Sequence, residues 1–263
     1  MKAFFFDVDG TLIDGTNGIR AISPATLGQL ERLHAQGHKL AVCSGRPFGL
    51  IGPELRLPVF DAYVMCNGAH VEVDGASLFE ERMDPQLVRS YVGLFEELGV
   101  EYMLQTAHHL YLDPRYTTLR SFFEGFGHQD VFTFDFDKDE VVTRVIKLEA
   151  HATPQTLGRL EEAVRGKAEF TARMDNNGGY NAFEVFSPTI SKAVGIQKVL
   201  DHFGVAHCDS LAFGDGINDL EMIGTVGTGV AMGNACEELK AVADVVCGSV
   251  AEDGLAHYLA SVA

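Results

Sequence analysis

Short apolar runs that end in polar, glycine-containing loops recur along this chain. Ala3 to Phe6 runs into the loop Asp7 to Gly18, Lys39 to Cys43 into Ser44-Gly45-Arg46, and Ala62 to Cys66 into Asn67-Gly68. Runs of this length bounded by turn residues read as buried strands. Between the first two, Ser23-Pro24 offers an N-cap with proline at the first helical position. Leu27, Leu30 and Leu33 then supply a helical stripe, and Gly37 can end it. Strand–helix–strand alternation of this kind predicts a parallel, doubly wound sheet. Val71-Glu72-Val73 and Ser77-Leu78-Phe79, joined by Asp74-Gly75, predict a hairpin.

The same pattern returns in the last quarter. Ser191 to Phe203 reads as a helix, Leu211 to Phe213 as a strand entering Gly214-Asp215-Gly216, and a further helix starts near Asn218. Strands come next at Val226 to Met232 and Val242 to Val246, then a helix over Gly254 to Val262. Between Met83 and Ser187 the texture changes. A helix from Asp84 to Leu98 precedes strands at Tyr102 to Thr106 and Leu110 to Leu112. Two helix-then-strand passages come after them, with strands near Val141 to Leu148 and Ala182 to Phe186. The expectation is an α/β protein: a Rossmann-like core formed by residues 1–82 and 188–263, with an α+β domain inserted at 83–187. No internal repeat organises the chain.

Charge narrows the function. With a formal net charge of −17, a nucleic-acid or acidic-membrane partner is not expected, since phosphate backbones are bound by clustered Lys and Arg. The five cysteines (43, 66, 208, 236 and 247) form no CxxC pair, so neither a disulfide framework nor a zinc ribbon is indicated. Asp7 interrupts the opening apolar run before it could serve as a signal-peptide core, and no stretch is long enough to span a membrane. A cytoplasmic protein is expected, as a monomer or homodimer.

Four polar clusters follow apolar strands, the third less directly than the others: Asp7-Val8-Asp9-Gly10-Thr11, Ser44-Gly45-Arg46, the helix start at Ser191-Lys192, and Gly214-Asp215-Gly216-Ile217-Asn218-Asp219. In an open α/β sheet, ligands bind outside the carboxyl ends of the strands, so loops from different strands can converge there. Asp7 and Asp9, two apart at a strand exit, point to one side, and paired carboxylates need a cation to stay ionised. Asp215 and Asp219 supply more oxygen ligands of the kind magnesium prefers. Ser44 and Lys192 offer a hydroxyl and a positive charge suited to a phosphoryl group. Each cluster alone also reads as a turn or a cap. Their joint placement after strands is what points to chemistry.

These clusters resemble, in order, the four motifs of the haloacid dehalogenase superfamily. The large insert and Asn67-Gly68-Ala69 are similar to its Cof-type phosphatase branch, which carries a type IIB cap. The resemblance implies that Asp7 is the nucleophile and forms an aspartyl-phosphate, and that Asp9 is the general acid and base. It implies phosphate or substrate binding by Thr11, Ser44, Gly45, Arg46, Lys192 and Asn218. It also implies Mg2+ at Asp7, Asp215, Asp219 and the backbone carbonyl of Asp9. The expected activity is hydrolysis of small phosphorylated metabolites, sugar phosphates first. The alternatives are a phosphomannomutase-like sugar phosphomutase and a non-catalytic metal or phosphate-binding module. The cap is expected to close over the site on hinges near Arg82-Met83 and Ser187-Pro188. Arg173 to Asn181, His108-His109 and Glu184 are candidates to meet the leaving group.

Overall fold

A computed structural model describes residues 1–124, 131–174 and 181–262, with the backbone alone described at 122, 169 and 171–174. The chain begins with β1 (Ala3–Asp7), α1 (Pro24–Ala35), β2 (Lys39–Cys43), β3 (Ala62–Met65), β4 (His70–Val73) and β5 (Ala76–Glu80). The inserted stretch supplies α2 (Pro85–Leu98), β6 (Tyr102–Gln105), β7 (Leu110–Leu112), α3 (Thr117–Glu124), β8 (Phe132–Thr133), α4 (Lys138–Val141), β9 (Lys147–Ala152), α5 (Pro154–Val164), β10 (Glu169–Met174) and β11 (Asn181–Phe186). The chain then completes α6 (Lys192–Phe203), β12 (Ser210–Gly214), α7 (Leu220–Thr225), β13 (Thr228–Ala231), α8 (Glu237–Val242), β14 (Val245–Val246) and α9 (Gly254–Ser261). Two compact units result: residues 1–46, 51–79 and 191–263, and residues 47–50 with 80–190.

The first unit is built on an eight-stranded sheet ordered β14-β13-β12-β1-β2-β3-β4-β5. Every pairing from β14 to β3 is parallel, and β4 turns back antiparallel to β3. The hairpin between β4 and β5 turns at Asp74 and Gly75, both at positive φ. Phe4, Phe5 and Phe6 are all fully buried, as a central strand covered on both faces requires. Each such side chain contributes about 1.5–3 kcal/mol over an exposed one. Phe6 also stacks on Phe213 of the neighbouring strand at 5.1 Å. The helix α1 is capped as expected, with Ser23 Oγ accepting from the Thr26 N–H at 3.1 Å and Leu30 and Leu33 buried beneath it.

The order of strands decides where chemistry can sit. From β1 the chain steps outward through β2 and β3 on one side, and later from β12 through β13 and β14 on the other. Right-handed crossovers in opposite directions put α1 and α7 on opposite faces. The reversal falls between β1 and β12. Just beyond their carboxyl ends lies the crevice that such sheets use for ligands.

The second unit carries a six-stranded sheet ordered β10-β11-β9-β6-β7-β8, antiparallel except at the β7–β8 pair. The side chains of β9 alternate. Leu148, Ala150 and Ala152 join Val88, Phe95, Leu160 and Phe183 in one core. Lys147, Glu149 and His151 lie on the opposite face. There, Met103, Leu110, Leu112, Leu119 and Leu50 form a smaller apolar cluster.

The strand expected at Val141 to Leu148 begins six residues later, at Lys147, and ends at Ala152. Asp137 caps the short helix α4 by accepting from the N–H groups of Asp139 and Glu140. Val141, Val142, Val145 and Ile146 are buried as the end of that helix and the turn after it. The expected strand at Val242 to Val246 is reduced to Val245–Val246, because Val242 ends α8. The strands β8 and β10 were not anticipated. No helix among the described residues is long and apolar enough to cross a membrane.

Candidate active site

The exit of β1 is shaped by one carbonyl and one glycine. Val8 O accepts from the N–H groups of Leu12 and Ile13, both at 3.0 Å, winding the loop tightly. Gly10 has φ +88°, and a Cβ there would lie 2.1 Å from Asp215 Oδ2. Only glycine satisfies both the backbone conformation and that close approach. Asn234 Nδ2 donates to Gly10 O at 2.8 Å and holds the loop from the β13 side.

The exit of β12 is organised by Asp219. Its Oδ2 accepts from the N–H groups of Asp215 at 3.0 Å and Gly216 at 2.9 Å. Its Oδ1 accepts from Lys192 Nζ at 2.5 Å, and the same nitrogen donates to Asp7 Oδ1 at 2.5 Å. Lys192 and Asp219 are completely buried and Asp7 nearly so. Lys192 is the first residue of α6. That helix start sits close to the turn after β3, where Gly68 has φ +98° and a Cβ would meet Ser191 O at 2.1 Å.

This cluster is short of positive charge. Burial first, then the Asp219 carboxylate, pushes the Asp7 carboxyl well above the usual range, against the pull of Lys192. Burial pulls the Lys192 ammonium down, but the Asp219 and Asp7 carboxylates outweigh it and hold the group above its ordinary value. Oxygens of Asp7, Asp215 and Asp219 lie within 4.8 Å of one another. The three carboxylates are a hard oxygen donor set, and a divalent cation fits it. Neighbouring Cys43 is fully buried, and burial pushes its thiol far up, which leaves it inert.

The other expected residues fall nearby in sequence but differ in what they touch. Ser44 is buried at the exit of β2, and its Oγ accepts from the Arg46 N–H at 3.2 Å. The Arg46 guanidinium faces Asp9, with Nε 2.9 Å from Oδ2 and Nη2 2.5 Å from Oδ1. Asn218 Nδ2 approaches Asn67 Oδ1 at 3.5 Å, and a Cβ on Gly45 would meet that same oxygen at 2.9 Å. Thr11 is buried, lines a cavity of about 20 Å³ with Ile19, Ser23 and Thr26, and its Oγ1 has no partner among the described residues. Asn67 and Asn234 were not singled out from sequence as site residues. Asn67 carried a signal all the same, since its φ of +55° suits an asparagine at a strand exit.

In the second unit, Glu184 accepts from Lys147 Nζ at 2.6 Å. His108 packs edge-on against Phe48, and His109 lies beside Tyr111. Residues 175–180 of the candidate stretch Arg173 to Asn181 lie outside the described residues, and Arg173 is described only in its backbone.

The haloacid dehalogenase-like hydrolase family matches residues 4–259. The chain belongs to that family. It is 30% identical to YkrA of Bacillus subtilis over 97% of this chain and 95% of that one. It is 28% identical to the 5-amino-6-(5-phospho-D-ribitylamino)uracil phosphatase YitU of the same organism, over 96% and 94% of the two chains. The solved structure of the subclass IIB sugar phosphatase BT4131 matches with a TM-score of 0.83 at 27% identity, covering 99% of this chain and 98% of that one. The chain is therefore a Cof-type phosphatase, a hydrolase of phosphoric monoesters.

Proposed function

We propose that this phosphatase hydrolyses small phosphorylated metabolites, sugar phosphates first among them, in a magnesium-dependent reaction through an aspartyl-phosphate on Asp7. One observation carries the reading: Lys192 bridges the buried carboxylates of Asp7 and Asp219 beside Asp215, at the point where strand order reverses. The substrate class draws on two relatives. BT4131 is a sugar phosphatase, and the compound named for YitU carries a phosphorylated ribityl chain.

In this mechanism an Asp7 oxygen attacks phosphorus as the bond to the leaving alcohol breaks. Asp9 gives its proton to the departing oxygen. Asp9, now a carboxylate, takes a proton from the water that attacks the aspartyl-phosphate. Inorganic phosphate leaves and Asp7 is restored. Ser44, Lys192 and Asn218 hold the phosphoryl oxygens and stabilise the charge that builds on them. Asp219 spends both oxygens on Lys192 and on the N–H groups of Asp215 and Gly216, and so fixes the geometry of that loop. Asp7, Asp215 and the Asp9 carbonyl would hold magnesium, which when bound supplies positive charge that keeps Asp7 ionised. The inserted unit, residues 80–190, is the candidate for selecting the leaving group.

The test is phosphate release from a panel of phosphorylated metabolites with magnesium and with EDTA. Release from one compound class that EDTA removes is the expected result. Asp7→Asn should lower turnover by about a thousandfold or more. Unchanged activity in that variant would sink the mechanism.

A further inference from the structure

Arg46 lies two residues after Ser44 and was expected to bind phosphate, yet two of its nitrogens address Asp9, one to each carboxylate oxygen. A two-point fork fixes the plane of a carboxylate as well as its distance, which a lysine cannot do. The backbone that presents the fork is itself held. The Arg46 N–H donates to Ser44 Oγ at 3.2 Å, and the Arg46 carbonyl accepts from the Cys66 N–H at 3.0 Å. Asp9 has the opposite character. Its side chain is 52% exposed, in a loop that leaves through a glycine at positive φ. Among the described residues, no group other than Arg46 hydrogen-bonds to its carboxylate.

We infer that Arg46 is a positioning residue for proton transfer by Asp9, and not a ligand of the transferred phosphoryl group. The inference rests on the roles proposed above for Asp7 and Asp9. In the first half-reaction the Asp7 oxygen–phosphorus bond forms and the bond from phosphorus to the leaving oxygen breaks. The Asp9 proton passes to that oxygen, and its electron pair stays on the Asp9 carboxylate. Negative charge therefore develops where the guanidinium already stands, and no group has to reorganise to meet it. An exposed aspartate without the fork would sample rotamers that miss the leaving oxygen.

The need for that proton depends on the leaving group. Phenolate is basic and leaves poorly without it, whereas p-nitrophenolate leaves well as the anion. The value of kcat/KM reports steps up to the first irreversible one, here formation of the aspartyl-phosphate, so the later use of Asp9 as a base does not enter. Phenyl phosphate and p-nitrophenyl phosphate thus isolate proton donation.

Arg46→Ala should lower kcat/KM for phenyl phosphate by about 100-fold, the lower end of general-acid contributions, and for p-nitrophenyl phosphate by less than about 5-fold. Arg46→Lys should fall between wild type and Arg46→Ala on phenyl phosphate. In an Asp9→Asn background, Arg46→Ala should cost nothing further. Equal losses on both substrates, as a phosphate ligand or a merely structural residue would give, overturn the inference. So does the absence of any loss, the behaviour of an ordinary surface ion pair. Wild-type hydrolysis of both esters, abolished by Asp7→Asn, tests the parent mechanism separately. If wild type cleaves neither, the parent mechanism fails and this inference with it.

Discussion

The two units differ in how they hold a buried ammonium. In the second, cations meet carboxylates in pairs: Lys147 with Glu184, Lys138 with Glu96, Arg115 with Asp113 and Arg120 with Glu124. In the first, one buried ammonium is shared by two buried carboxylates, with a third acid alongside. Lys147 and Lys192 make the contrast sharpest, since both are fully buried. Lys147 lies within β9 and reaches Glu184 diagonally across the ladder to β11. Lys192 begins α6 and reaches acids delivered by β1 and by the loop after β12. A shortage of positive charge costs stability, and folds keep such a cost where a ligand will offset it.

The comparison breaks most visibly at the two lysines. Lys192→Met removes the ammonium from the proposed phosphoryl site and should lower kcat/KM for p-nitrophenyl phosphate by about 10²–10³-fold. Lys147→Met removes a buried ammonium from its contact with Glu184 and should lower stability in urea unfolding. Its folded molecules should keep wild-type kcat/KM on that ester. If the two variants lose activity equally, the distinction between the units is wrong.

Two glycines at positive φ give a finer contrast. Gly68→Ala puts a methyl group against the backbone carbonyl of Ser191, where nothing flexible can yield. Gly166→Ala meets nothing within 4 Å. The second variant should lose only the left-handed backbone cost, about 1–2 kcal/mol, with activity intact. The first should lose more than that and also activity, because the start of α6 that carries Lys192 must shift. Equal thermal losses with full activity in both would show that Gly68 is not needed to seat that helix.

Which residues gather at the candidate site was largely legible in the sequence, for a topological reason. Parallel strands deliver their exit loops to one edge, so Asp7, Ser44 and Asp215 could be gathered from the polar residues at the end of each apolar run. The second unit resisted because its strands run antiparallel and its polar residues lie mid-strand. Lys147, Glu149 and His151 alternate with leucine and alanine in β9, while the valine-rich run just before them looked more like a strand and is a helix end. Long-range hydrogen bonds were hidden for another reason. Nothing in the spacing of Asn234 reveals that it reaches back to Gly10, or that Arg46 turns toward Asp9. Such contacts depend on side-chain direction, which sequence patterns do not carry.

The smallest effect concerns pH, and here the two units should differ in sign. Arg115 holds the Asp113 carboxyl at about 2, through its side chain first and its backbone N–H second. A carboxyl held below its ordinary value of about 3.9 adds stability above that value, and the gain is lost as pH falls towards about 2. The pair is exposed, so the gain is small and salt should weaken it. Asp7 behaves in the opposite way when no divalent cation is present. Its carboxyl is raised by burial and by Asp219, so its share of stability is present at low pH and is lost as pH rises through the raised value. Urea midpoints measured in EDTA across pH should therefore change on different limbs: Asp113→Asn flattens the acid limb, and Asp7→Asn raises stability at neutral pH. Should both variants alter the same limb, the cluster at Asp7 is not short of positive charge, and the argument that it awaits a cation loses its electrostatic basis.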